Sequence, residues 1–235
     1  MIVEILFSEL CNFYGDPQNA EYLRQTLPDA QFICTGFRDT PFFASEKPDI
    51  LYMGSMSENT QRQVLEKLRP FRARLQALCD AGCVMLFTGS AADLFCRRID
   101  YVTEGLSAEG LGFFDIDVKT DWFRRVNGKL IGDADGNLVT GFRSQFAEYS
   151  GDNSGFAFLN VERGFGLAPG SPYEGMRRNN LICTQLLGPI LPLNPDFTAY
   201  LIRLAGGEAV PAFYPEMKEA YDRRVAEFRN PDIKF

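Results

Sequence analysis

The run Cys83-Val84-Met85-Leu86-Phe87 is the feature that most constrains the fold of this chain. Five consecutive apolar residues between two helical segments are typical of a strand that is buried on both faces of a parallel sheet. Gly82 ends the helical segment before the run. Thr88-Gly89-Ser90 predicts a sharp turn after it, and residues 91–95 begin another helix. Such a strand needs a layer of helices on each side of its sheet.

The rest of the first half repeats this alternation of strand and helix. Apolar runs predict strands at residues 1–7, 31–35 and 50–53. One helix is predicted to begin at Pro17. A second is predicted over residues 61–81, with a break at Pro70 because proline cannot donate a helical hydrogen bond. The sequence therefore predicts an α/β fold, a mostly parallel sheet with helices on both faces.

The second half carries shorter strand signals separated by glycine-rich turns. The predicted strands are residues 112–119, 122–126, 129–131, 155–161 and 180–184. Asp135-Gly136-Asn137 is typical of a hairpin turn, so we expect antiparallel or mixed strands added to the core sheet. A surface helix over residues 217–228 is predicted within a C-terminal helical tail, about 211–235. Without internal repeats or a linker, residues 1–235 are interpreted as one domain.

Composition limits the possible partners. The net charge is −7, and no basic cluster offers a face for nucleic acid or for an anionic membrane, so we expect neither as a partner. The apolar stretch at residues 1–7 is too short and too acidic for a secretory signal. We therefore expect a cytoplasmic protein.

Metal and cofactor chemistry are not indicated either. The six cysteines are dispersed and form no C-x-x-C pair, and the chain has no histidine. A zinc site would need four distant thiols to converge. We therefore expect no metal, no cofactor, and reduced, mostly buried cysteines.

The turn after the central strand has the layout of a nucleophile elbow. An exposed Thr88 would stand at the carboxyl edge of the sheet, and Gly89 and Ser90 would open a helix whose amides can receive an oxyanion. Gly54 and Ser55 follow the predicted strand 50–53 and are further candidates for ligand binding, because ligands bind at this edge in such sheets. The alternative interpretation is a Gly-Ser turn without a catalytic role.

Several motifs occur in a consistent order over about residues 11–205. They are Tyr14-Gly15-Asp16 with Asn19, residues 48–54, 86–90, 109–115 and 140–145, and the stretch from 173–175 through 184–195. Together they resemble the cobyric-acid-synthase-like branch of the class I glutamine amidotransferases. The likeness is greatest to glutaminase subunits that work beside a Mur-ligase-like protein and amidate the cell-wall precursor lipid II. The resemblance implies a flavodoxin-like sheet and a synthetase or ligase as partner.

The resemblance also implies that the reaction has been lost. Thr88 stands at the position of the nucleophilic cysteine, and Leu187 stands at that of the catalytic histidine. Gln145 replaces the other characteristic histidine, and Arg143 replaces a neighbouring glutamate. The family's chemistry needs a thiolate and an imidazole, and a threonine hydroxyl would need a strong base nearby.

Few other residues could substitute for the missing thiol and imidazoles. Cys183 is the only cysteine that we place near the pocket, whereas Cys83 is expected on the far side and Cys96 in the core. Asp93, one turn after the elbow, is interpreted as a solvated or helix-start charge rather than a base.

Three functions remain open. The first is a non-catalytic binding or regulatory subunit whose pocket, formed by residues 88–90 with Arg143 and Gln145, holds a small carboxylate or amide; the alternative for Arg143 is a surface salt bridge. The second is a scaffold beside a Mur-ligase-like or other ATP-dependent synthetase, with the apolar residues 186–193 as its surface or as an edge of the core. The third is another enzyme that uses Thr88, Ser90 or Cys183 as its nucleophile.

Overall fold

A computed structural model describes residues 1–233 of the chain; residues 234 and 235, the end of the predicted tail, lie outside the described residues. The first half contains four strands and four helices in alternation. They are β1 (Ile2–Leu6), α1 (Pro17–Thr26), β2 (Gln31–Thr35), β3 (Ile50–Met53), α2 (Glu58–Leu68), α3 (Arg72–Asp80), β4 (Val84–Thr88) and α4 (Ser90–Asp93).

The second half, as far as residue 233, contains ten strands and three helices. They are β5 (Arg98–Tyr101), β6 (Leu106–Glu109), β7 (Asp117–Thr120), β8 (Val126–Ala134), β9 (Asn137–Gln145), β10 (Ala147–Ser150), β11 (Leu159–Arg163), β12 (Tyr173–Glu174), β13 (Met176–Arg178), β14 (Leu181–Thr184), α5 (Ile190–Leu193), α6 (Pro195–Leu204) and α7 (Tyr214–Arg229).

The main sheet has six strands in the order β13-β14-β4-β3-β1-β2. All neighbours are parallel except β13 and β14, which form an antiparallel pair. Every residue of β4 is buried, as the apolar run predicts, because its side chains enter two separate core clusters. Helices α2 and α3 cover one face of the sheet, and α1 and α6 cover the other. The predicted α/β class is confirmed.

Proline divides the long helix predicted over residues 61–81. Helix α2 ends at Leu68, a 3-10 turn covers Arg69–Phe71, and α3 continues from Arg72. The Ser57 hydroxyl oxygen caps α2 by accepting a hydrogen bond from the Thr60 amide at 3.3 Å. This cap starts the helix three residues earlier than the apolar pattern suggests.

The second half forms two further four-stranded sheets, β10-β7-β5-β6 and β12-β11-β8-β9. The predicted hairpin joins β8 to β9, with Asp135 and Gly136 at φ of 53° and 80°, the left-handed conformation of a type I′ turn. The strand predicted at 122–126 is wrong, since Trp122 to Arg125 form a turn and an irregular segment and Phe123 is 88% exposed. The strand predicted at 112–119 begins only at Asp117.

The chain ends in the surface helix α7, as predicted, although it buries Tyr221 and Phe228. The apolar residues 186–193 contribute to the core and include no exposed residue, so the interpretation as an open docking surface is wrong. No helix within residues 1–233 is long and apolar enough to span a membrane.

Candidate functional site

The turn after β4 depends on Gly89. Its φ is 56° and its ψ is −135°, a conformation that favours glycine. A Cβ atom here would lie 2.6 Å from the Ser55 Oγ and 3.0 Å from the Leu187 Cδ2. The turn therefore brings β4, the loop after β3 and the segment after β14 into direct contact.

Thr88 does not stand exposed at the sheet edge, as the elbow interpretation expects. Its side chain is fully buried, and its Oγ1 donates a hydrogen bond to Asp16 Oδ2 at 2.7 Å. The Tyr52 hydroxyl lies 3.3 Å from Thr88 Oγ1. The position of a nucleophile thus holds a hydroxyl that points inward and is engaged with a carboxyl group.

Asp16 is the centre of this buried network. Besides Thr88, the Ser55 amide donates to its Oδ2 at 2.7 Å, and the Asn19 side chain donates to its Oδ1 at 3.3 Å. Burial raises the pKa of Asp16 to about 6, against these hydrogen bonds that lower it. The motif Tyr14-Gly15-Asp16 marks the position in the sequence, but its role as a partner of Thr88 was missed.

The backbone at the elbow is not free to bind an oxyanion in the expected way. The Gly89 amide donates to the Thr184 carbonyl at 2.8 Å, and the Ser90 amide lies 3.4 Å from the Ser55 Oγ that accepts from it. The Ser90 hydroxyl donates to the Met56 carbonyl at 2.7 Å. Helix α4, which follows, has only four residues.

Asp93 is buried, so its interpretation as a solvated charge is wrong. Its Oδ1 accepts from the Tyr149 hydroxyl and from Gln185 Nε2, the latter at 3.0 Å, and its Oδ2 accepts from Gln61 Nε2 at 2.8 Å. Burial raises the pKa of Asp93 to about 7. No local sequence pattern predicts this network, because its four members lie far apart along the chain.

The side-chain amides of Gln185 and Gln61 also hold the elbow backbone. Gln185 Nε2 also donates to the Gly89 carbonyl at 2.8 Å, and Gln61 Nε2 donates to the Ser90 carbonyl at 2.7 Å. Asp16 thus holds Thr88, and the two amides that donate to Asp93 hold Gly89 and Ser90.

The two positions at which the resemblance places histidines hold Leu187 and Gln145, whose side chains cannot shuttle protons. Leu187 is buried next to Gly89, and its backbone exchanges hydrogen bonds with Phe142 at 2.8 and 3.1 Å. Gln145 is also buried; its Nε2 donates to the Ala147 carbonyl at 2.6 Å and its Oε1 accepts from Arg143 Nε at 3.0 Å.

Arg143 is not a surface ion pair. It is 3% exposed, and its Nη1 donates to the carbonyls of Phe165 and Gly166 at 2.8 and 2.6 Å. Its guanidinium ties the loop at 165–166 to β9 through Nη1 and holds Gln145 through Nε, and recognition of a ligand carboxylate stays a prediction.

Cys83, Cys96 and Cys183 present no exposed thiol at the elbow. Cys183 lies within β14, and burial raises the pKa of its thiol well above the usual range. Cys83 donates to the Pro48 carbonyl at 3.1 Å at the opposite end of β4, and Cys96 is fully buried. Among residues 1–233, no group of three or more Cys, Asp or Glu side chains is arranged to hold a metal ion.

Two cavities meet beside the elbow. The first, here called the elbow cavity, has a volume of about 70 Å³ and is lined by Ser55, Gly89, Ser90, Asp93, Gln145 and Gln185, among others. The second, the sheet groove, has a volume of about 810 Å³ and lies between strands β7 and β10 and the loop at 165–169. Of the predicted candidates, Thr88, Gly54 and Leu187 line neither, and Arg143 lines only the groove.

Comparison with known proteins gives one curated relative and a shared fold. No protein-family model matches the chain. A curated relative, the lipid II isoglutaminyl synthase (glutamine-hydrolyzing) subunit GatD of Staphylococcus aureus strain N315, is 27% identical over 205 residues, which cover 84% of this chain and 81% of the relative.

Solved structures show the same fold. One described as a crystal structure of glutamine amidotransferase superposes with a TM-score of 0.56 at 13% identity, covering 86% of this chain and 98% of that one. PurLQS from Thermotoga maritima superposes with a TM-score of 0.54 at 8% identity, covering 95% of this chain and 98% of that one. The chain therefore shares the fold of these glutamine amidotransferase structures and is similar in sequence to a glutaminase subunit.

Proposed function

We propose that this protein has lost glutaminase activity and acts as a binding, regulatory or scaffold subunit. The observation that carries the proposal is the elbow itself. Thr88 is fully buried and donates to Asp16, and Leu187 packs against Gly89 where the resemblance places the catalytic histidine. Amide hydrolysis of the family's kind needs an accessible thiolate and a group that shuttles its proton. The chain has no histidine to supply that group.

The partner would be an ATP-dependent synthetase, for example a Mur-ligase-like protein acting on a cell-wall precursor. The relative from Staphylococcus aureus is by its name one subunit of a glutamine-hydrolysing synthase, which supports a partner for this chain. We propose that residues 1–235 act as one domain in such a complex. Its ligand at the elbow would be a small molecule with an amide or carboxylate group.

Ammonia release tests the loss of activity. The purified chain with glutamine is expected to release no ammonia above the rate without protein, while the Staphylococcus aureus relative, with its partner subunit, serves as the positive control. Release by this chain that disappears in Thr88→Val would refute the proposal and identify the hydroxyl as a nucleophile.

Affinity capture tests the partner. The tagged full-length chain is expected to retain an ATP-binding ligase from lysate of its own source, and to lose it when the tagged bait is thermally unfolded first. Recovery of no such protein under conditions that retain a known synthase complex would contradict the scaffold role.

A second candidate is an enzyme with a hydroxyl nucleophile. It is favoured by the contact of 2.7 Å between Thr88 Oγ1 and Asp16 Oδ2, because a carboxylate with a raised pKa can accept a proton near neutral pH. The full burial of Thr88 opposes it. Labelling by a fluorophosphonate, followed by mapping of the modified residue, separates the two: attachment at Thr88 or Ser90 supports the enzyme, and no attachment supports the binding subunit.

A further inference from the structure

The sheet groove has the dimensions of a ligand site, whereas the elbow cavity does not. Small-molecule pockets usually enclose about 300 to 1,000 Å³. The groove has about 810 Å³, and its lining combines charged side chains with apolar ones, among them Val102, Val126, Phe165 and Leu167. The elbow cavity has only about 70 Å³, room for one or two waters.

The two spaces share one wall, formed by Gln145, Phe146 and Ala147. Phe146 lies at the bend between β9 and β10 and is half-buried. Its ring contacts the guanidinium of Arg125, which lies 5.4 Å from the ring centre and is exposed. Cation–π contacts at exposed positions are weak, so this contact by itself holds the ring only weakly.

The opposite wall of the groove is fixed. Arg143 Nη1 holds the carbonyls of Phe165 and Gly166, and the Leu167 amide donates to the Tyr173 carbonyl at 2.6 Å. A wall that is already ordered does not lose conformational freedom when a ligand binds, which favours binding.

One polar group of the elbow cavity has no partner. Thr120 lines the cavity and is 2% exposed, and within residues 1–233 nothing accepts from or donates to its Oγ1. By contrast, the Ser90 hydroxyl and both polar atoms of the Gln145 side chain are engaged. A buried hydroxyl without a partner is unfavourable, and a ligand that bonds to it would remove that cost.

The charges of the elbow cavity select the kind of group that can enter. Glu58 and Asp93 line it, and among the described residues no lysine or arginine does. A carboxylate would therefore be repelled or poorly solvated there, and a neutral carboxamide can both donate and accept hydrogen bonds.

We propose that the sheet groove and the elbow cavity form one binding site, divided by the Phe146 ring in this conformation. Its ligand is a small molecule with an aromatic or aliphatic body in the groove and a neutral carboxamide that reaches Thr120. This inference rests on the proposed binding role of the elbow and narrows its ligand from a carboxylate or amide to an amide with an apolar body.

Calorimetric titration with three probes tests the ligand class. We expect 3-phenylpropanamide to bind, 3-phenylpropanoate to bind about tenfold more weakly, and acetamide, which lacks the body, to show no binding. Equal binding of the amide and the acid would refute the carboxamide, and no binding of either would refute the site. Neither outcome changes the ammonia assay or the affinity capture, which test the loss of activity and the partner separately.

Two variants locate the site. Thr120→Val should weaken 3-phenylpropanamide about tenfold and raise the melting temperature of the free protein, because it removes the unpartnered hydroxyl. Phe165→Ala should weaken the same probe, whereas Phe213→Ala, a matched loss of an exposed ring elsewhere, should not. Unchanged affinity in both site variants would overturn the proposal. A lower melting temperature of Thr120→Val would also overturn it, because it would show that water already satisfies the Thr120 hydroxyl.

Discussion

The elbow turn is sensitive to a single methyl group. Replacing Gly89 with alanine places a Cβ atom at 2.6 Å from the Ser55 Oγ and 2.8 Å from the Ser55 Cβ. It also imposes the φ of 56° and ψ of −135° on a residue that disfavours them. Ser55 cannot move away easily, because its amide donates to Asp16 at 2.7 Å.

The expected loss combines two contributions. An unfavourable backbone conformation costs about 1–3 kcal/mol, and overpacking of a filled site costs about 1–3 kcal/mol. Gly89→Ala should therefore lower the free energy of unfolding by about 2–6 kcal/mol. Gly105 is the matched control: its φ is 64°, but no atom lies within 4 Å of an added Cβ, so Gly105→Ala should cost only about 1–2 kcal/mol.

Urea unfolding at equilibrium measures both losses. In addition, Ser55→Gly removes the clashing side chain, so the double variant should be more stable than the sum of the single losses predicts. Equal destabilisation by Gly89→Ala and Gly105→Ala, with additive losses in the double variant, would refute the steric argument.

Three further predictions concern the carboxyl groups, the elbow and a helix cap. The pKa of Asp93 is raised to about 7 in the folded chain, against 3.8 for the ordinary carboxyl, so the free energy of unfolding falls as pH rises through 7. Asp93→Asn should reduce this fall between pH 5 and pH 8 by about 3 kcal/mol at most, measured by urea titration at each pH. An unchanged slope of stability against pH would contradict this. Thr88→Cys should release no ammonia from glutamine, and its thiol should react slowly with a disulfide reagent, because the site is buried and Leu187 offers no base; rapid reaction would show an open elbow. Ser57→Ala should cost about 1 kcal/mol, measured as a fall of about 2–4 °C in melting temperature, and no fall would show that the Thr60 amide finds another partner.

The first half of the fold could be predicted from the sequence because its strands are parallel and all but the edge strand β2 are buried. Such strands are continuous apolar runs between turns, and β2 and β3 lie where the sequence predicts them. The second half was harder, since apolar residues there are also exposed. The run at 122–126 contains Trp122 and Phe123, yet it forms a turn, and β9 was not predicted because glycine and polar residues interrupt it.

The residues of the candidate site could be located by their order, but their contacts could not be predicted. The motifs place Thr88 and Leu187 near the turn. The structure agrees, since Gly89 follows Thr88 and lies against both Leu187 and Ser55. The burial of Asp93 depends on partners 32 to 92 residues away, which no local pattern reveals. Arg143 donates to backbone carbonyls of a loop. Every residue type offers such a carbonyl, so the loop sequence does not reveal this contact.

The contacts of Asp93 also make separate parts of the chain fold together. Its hydrogen-bond partners come from α2, β10 and the residue after β14, so the carboxyl group is satisfied only when all three are in place. A fragment that ends before Tyr149 would leave this group buried with one partner, or would open the turn to water. Protection of the Gly89 amide from hydrogen exchange should therefore be lost only together with that of β14, in one cooperative opening of both halves of the molecule.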